Sequence, residues 1–148
     1  MPCRSRLAEK IREVVQWKKE GISLEQAIDR VHAIYNEKNW HDWIHTIRNA
    51  MIVCIGLLFG ETDLEKTIGV AAIGGFDTDC NGATAGSIMG MILGAKALTD
   101  KWIAPLNDTL KSGVEGFDLI KISELAAKTV DVVKRVQPVS DSVYEKGV

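Results

Sequence analysis

The chain has 148 residues, 46% of them apolar and 26% charged, with 18 Lys plus Arg against 20 Asp plus Glu. That length suits one domain and buries a core without staples. The composition excludes disordered and collagen-like chains, and a net charge of −2 leaves no basic field for nucleic acid.

The periodicity is helical nearly throughout. Leu7, Ile11, Val14 and Val15 form one stripe, with Glu9, Lys10, Arg12 and Glu13 opposite. Gly21 is a stop signal. Ser23 with Gln26 fits a capping box before the stripe of Leu24, Ile28, Val31 and Tyr35. The polar, Trp-bearing stretch from Asn36 to His45 reads as a loop. An apolar helix is predicted from Ile44 to Phe59, with Gly60 at its C-cap. Thr62 with Glu65 reads as a second capping box, opening a helix through Ile68, Ala71 and Ala72. Gly74-Gly75 then breaks the chain.

A further helix carries Gly82, Gly86, Gly90 and Gly94, four apart. Each helical glycine costs about 0.8–1 kcal/mol relative to alanine, so close packing or a ligand should offset the stripe. The segment from Lys101 to Thr109, with Pro105, reads as a loop. A last amphipathic helix is predicted from Ile122 to Val136, ending before Pro138, with a frayed tail from Val139. No window alternates with period two long enough for a sheet. The expected fold is all-α, one unit over residues 1–148.

Cys3, Cys54 and Cys80 are odd in number and share no CxxC spacing. They read as thiols of a reducing compartment. Met1 to Arg6 shows no apolar signal core. The apolar runs from Ala50 to Gly60 and from Gly82 to Ala95 fall short of the roughly 20 residues a membrane span needs. The expectation is a cytoplasmic protein without membrane or nucleic-acid partners.

Chemistry concentrates in Gly74-Gly75-Phe76-Asp77-Thr78-Asp79-Cys80-Asn81. Two carboxylates just after a glycine break and before a helix can converge on a hard cation such as Mg2+ or Mn2+. They can equally be helix caps. His41 and His45 stand four apart, as zinc ligands on a helix do, but the third ligand would have to come from His32. Cys80 as a nucleophile lacks a visible base, and acidic neighbours raise a thiol pKa. Trp17, Trp40, Trp43 and Trp102 fit core or interface anchors as well as stacking platforms.

The run from Gly74 to Ser87, GGFDTDCNGATAGS, resembles the C-terminal metal motif of the ADP-ribosylglycohydrolase family, whose relatives include J1 crystallin. The resemblance extends to Ser5-Arg6-Leu7-Ala8-Glu9, to His45 with Asn49-Ala50, to Gly60-Glu61-Thr62-Asp63, and to Trp102 with Pro105-Leu106-Asn107-Asp108-Thr109. It implies an orthogonal helical bundle of about twice this length. It also implies a binuclear centre, usually magnesium, that cleaves the glycosidic bond of ADP-ribose. Asp77, Asp79 and Cys80 become the metal-site residues, with Cys80 standing where the family has a ligating Thr. Gly74, Gly75 and Asn81 become the wall around the ribose, and no catalytic residue is assigned.

The family's Thr-Asp-Asp run is absent from this sequence. The resemblance is therefore to a C-terminal half, whose N-terminal counterpart would come in cis or in trans. An ADP-ribosylated protein or an ADP-ribose-like small molecule is the implied substrate. As an isolated chain, it is expected to be inactive and to self-associate through uncovered apolar surface. A non-catalytic, ADP-ribose-binding or crystallin-like role is the alternative.

Overall fold

The computed structural model describes residues 4–136. The chain gathers into two compact units that divide between Leu98 and Thr99. The sequence reads as one unit because this junction carries no Pro-, Gly- or Ser-rich linker: Gly94 leads into a 3-10 turn at Ala95–Ala97. The tail from Val139 lies outside the described residues. Among those described, no helix is long and apolar enough to cross a membrane.

The first unit is helical. α1 spans Arg6–Lys19, with the Ser5 hydroxyl accepting from the Ala8 N–H, and it stops before Gly21 at φ +76. α2 (Leu24–Ile34) forms both bonds of the Ser23–Gln26 capping box. The expected loop holds a one-turn helix, α3 (Trp40–Trp43), which Asn39 caps. Four residues are too few to show a helical period. α4 (Thr46–Phe59) begins two residues later than the sequence suggests, because His45 is its N-cap, and it ends at Gly60 as expected.

α5 (Leu64–Ile73) corrects the second capping box. Glu61 and Thr62 sit at φ +55 and +63, so the cap falls to Asp63, whose carboxylate accepts from the Lys66 N–H at 2.7 Å. α6 runs Thr78–Leu93. The glycine stripe is half explained by packing. A Cβ on Gly86 would come within 3.1 Å of Ile68 on α5, whereas Gly90 faces open space and Gly94 ends the helix at φ +75. Val14, Trp17, Ala27, Val31, Met51, Ile52, Ile55, Phe59, Val70 and Phe76 form the core of this unit. α4 supplies four of these ten, so the most apolar helix is the central one.

The second unit contains α7 (Asp100–Ile103), a 3-10 turn at Ala104–Leu106 with Pro105, strands β1 (Thr109–Lys111) and β2 (Leu119–Lys121), and α8 (Ile122–Val136). The segment read as a loop thus holds a helical turn, and the strands pair antiparallel with Leu110 opposite Ile120. The hairpin went unseen because three-residue strands are too short to display a period of two. Asn107 and Asp108 both adopt positive φ, a conformation these side chains tolerate. Asp108 then caps α8 across the hairpin, accepting from the Ser123 N–H at 2.8 Å and the Ser123 hydroxyl at 2.6 Å. The all-α class stands, with this hairpin the one sheet among the described residues.

Candidate functional site

The segment between α5 and α6 is held in an unusual backbone path. Gly75 has φ +82, and a Cβ there would lie 2.7 Å from a Glu37 carboxylate oxygen and 3.1 Å from the His32 ring. Phe76 also has positive φ, +59, although it is bulky and buried. A non-glycine residue in this region costs of order 1–3 kcal/mol and persists only where its surroundings enforce it. Three contacts do so. The His32 ring stacks on Phe76 at 4.7 Å. His32 Nε2 lies 2.8 Å from the Gly74 carbonyl oxygen. Trp43 Nε1 donates to the Phe76 carbonyl at 2.7 Å.

Asn49 completes the clamp. Its Oδ1 accepts from the Asp77 N–H at 3.1 Å and from Asn81 Nδ2 at 2.8 Å, while its own amide donates to the Trp43 carbonyl at 2.8 Å. One side chain on α4 thereby fixes the start of α6 and the loop before it. Asn81 is buried, so its hydrogen bonds satisfy a group that would otherwise be costly.

The clamp displays Asp77, Asp79 and Cys80 together. Their ligand atoms all lie within 4.8 Å of one another, the one such group of three or more among the described residues. Asp77 occupies the N-cap position of α6 but makes no capping hydrogen bond, and Asp79 lies in the first turn. The cap alternative is therefore not what Asp77 does here. Its carboxylate instead hydrogen-bonds the Cys80 thiol. That bond, followed by the negative charges of Asp77 and Asp79, pushes the thiol pKa up. This is the reverse of nucleophile activation.

Two exposed or half-exposed carboxylates fit a hard cation such as Mg2+, which takes one or two protein carboxylates and keeps several waters. Cys80 is the soft member of the group, and its sulfur suits a hard cation less well than the two carboxylates do.

Beside this cluster lies a cavity of about 460 Å3 between α1, α4 and α6. Asn49, Asp77, Cys80, Asn81 and Thr84 line its polar edge, and Ile11, Val53 and Leu57 are among its apolar residues. An apolar cleft with a few convergent polar groups is the usual form of a ligand site. Of the proposed ribose wall, Asn81 lines the cavity. Gly74 packs against Ile52, and Gly75 lies beside Glu37 and His32.

The other sequence candidates disperse. His45 Nδ1 accepts from the Ile47 N–H at 3.2 Å as the cap of α4, and no histidine joins a metal-ligand group among the described residues. Trp17 is core, and Trp40 meets Trp43 edge-on at 5.3 Å. Sequence reasoning gave no role to His32, Trp43 or Asn49 in holding the loop. They lie 28 to 42 residues from their partners in sequence, and no local pattern announces such bonds.

No curated protein and no solved structure matches the chain. A family model described as ADP-ribosylglycohydrolase matches residues 2–138. With a match over nearly its whole length, and the acidic cluster of its glycine-flanked motif set beside a cleft, the chain belongs to the ADP-ribosylglycohydrolase family.

Proposed function

We propose that this chain forms one wall of a magnesium-dependent centre that cleaves the glycosidic bond of ADP-ribosylated substrates. The carrying observation is the convergence of Asp77 and Asp79 at the edge of the 460 Å3 cleft. The two carboxylates would hold the cation, with Mn2+ an acceptable substitute. A bound divalent ion supplies orientation of sugar hydroxyls and stabilisation of developing charge. Asn49 holds the Asp77 backbone in place, Asn81 presents a polar edge to the cleft, and the apolar residues of α1 and α4 exclude water. A binuclear centre needs more oxygen donors than two aspartates provide, so the opposite wall is proposed to come from an N-terminal portion in cis or in trans. A cytoplasmic setting suits thiols kept reduced.

A second function, non-catalytic ADP-ribose binding or a crystallin-like structural role, is favoured by Cys80. Its thiol is tied to Asp77 where the resemblance places an oxygen ligand. Two measurements separate the readings. The isolated chain is expected to bind ADP-ribose only with Mg2+, to lose that binding in Asp77→Asn, and to hydrolyse nothing. Turnover by the chain alone contradicts the need for a second wall. Magnesium-independent binding that Asp77→Asn leaves intact contradicts the site. If an added N-terminal portion binds yet restores no turnover, the non-catalytic function holds.

A further inference from the structure

A second cavity, of about 260 Å3, lies in the first unit and shares no lining residue with the cleft. Arg6, Lys10, Arg48, Tyr35 and His45 bring donors to its lining, and Glu9 is its one carboxylate. The acids that pair with two of these cations are not among the lining residues. Glu13 holds Lys10 at 2.7 Å, and Asp42 holds Arg48. The cavity therefore meets the cationic member of each pair and not the anionic one.

Two further features favour an anion. His45 Nδ1 already accepts from the Ile47 N–H, so the neutral ring carries its proton on Nε2 and has a donor to spare. His45 and Ile47 also belong to the N-terminus of the fourteen-residue helix α4, where the helix dipole favours negative charge. Arg48 is held in place at the lining by the His41 carbonyl at 2.8 Å and by the Tyr35 ring at 4.6 Å.

We infer that this cavity is a binding site for a phosphate group, separate from the acidic cluster and independent of its function. Phosphate suits it because its oxygens accept from several guanidinium, ammonium and hydroxyl donors at once. The group could be free phosphate or the phosphate of a monoester, and two probes, inorganic phosphate and AMP, distinguish these sources.

Calorimetric titration at fixed ionic strength is the test. Inorganic phosphate should bind saturably, and Lys10→Gln should weaken it about tenfold, as expected for loss of one cation in a partly screened site. Glu9→Gln should strengthen it about threefold by removing a like charge. Unfolding cannot mimic that gain. Lys128→Gln, on α8, should change nothing. AMP tighter than phosphate assigns the pocket to a phosphomonoester, and equal affinity assigns it to the phosphate group alone. Absence of saturable phosphate binding, no change in Glu9→Gln, or equal losses in Lys10→Gln and Lys128→Gln would each overturn the inference.

Discussion

The two units hold together by different means. In the first, four side chains of α4 enter a ten-residue core, and Met51, Ile52 and Ile55 have no exposed surface. In the second, Ile120 is the one buried hydrophobic among the described residues, while Val130, Val132, Val133 and Val136 of α8 are 40–73% exposed. Its order rests on short hydrogen bonds, chiefly the Asp108 carboxylate on Ser123. Burial of apolar area is the dominant stabilising term, whereas a single hydrogen bond adds a net ~1 kcal/mol. The strained loop that displays Asp77 and Asp79 is built on the first unit, where packing can support a conformation that costs free energy.

The sharpest way to break that contrast is a matched pair of truncations. Ile52→Ala should cost about 3 kcal/mol, within the usual range for a buried aliphatic, and should also loosen Gly74, against which Ile52 packs. Val133→Ala on α8 should stay within about 0.5 kcal/mol. Urea unfolding of both variants measures the difference, and equal losses would erase the distinction between the units.

The clamp is the next test. Asn49→Ala removes the acceptor of the Asp77 N–H and of the buried Asn81 amide. Leaving such groups unpaired costs about 1–3 kcal/mol. Asn49→Asp keeps an acceptor and should recover part of the loss in thermal unfolding. If alanine and aspartate are equivalent, the hydrogen bonds of Asn49 do not hold the loop.

A smaller effect is expected from Cys54 on α4, whose thiol is pushed up to about 11 by burial. The folded state keeps its proton while the unfolded thiol loses it near 9.0. Stability is therefore full below 9.0 and falls as pH rises from 9.0 through about 11. Cys54→Ala should flatten that part of the pH profile, and an unchanged slope would assign it to other groups.

The smallest effect is local to the second unit. Hydrogen bonds from Ser123 lower the Asp108 pKa from 3.8, so its contribution is present above that value and is lost as pH falls below it through the folded value. Amide exchange in the first turn of α8 should quicken on acidification, and Asp108→Asn should remove most of that response. An identical acid response in the variant would show that another group controls the turn.

The same contrast separates what was legible in the sequence from what was not. α1, α2, α4 and α8 declare themselves because a helix that buries a face repeats its apolar residues, and Ser5, Ser23 and Gly60 mark ends by local bonding. The hairpin, α3 and the shift of the cap from Thr62 to Asp63 depend on segments too short for a period or on positive φ at Glu61 and Thr62. At the site, the acidic cluster was legible because its members lie within four residues. The clamp was not, because His32, Trp43 and Asn49 reach it only through the tertiary fold. The phosphate pocket is hidden for the same reason, drawing Arg6 from α1 and Arg48 from α4.

The most direct test of the central claim, that the clamped loop presents Asp77 and Asp79 as a hard-cation site, is paramagnetic broadening by Mn2+ in amide NMR spectra of the whole chain. Broadening should be selective for the amides of Asp77 to Asn81 and their neighbours across Asn49. It should be reversed by Mg2+ and absent in Asp77→Asn. Broadening spread over exposed carboxylates elsewhere, or persisting unchanged in Asp77→Asn, would contradict the assignment.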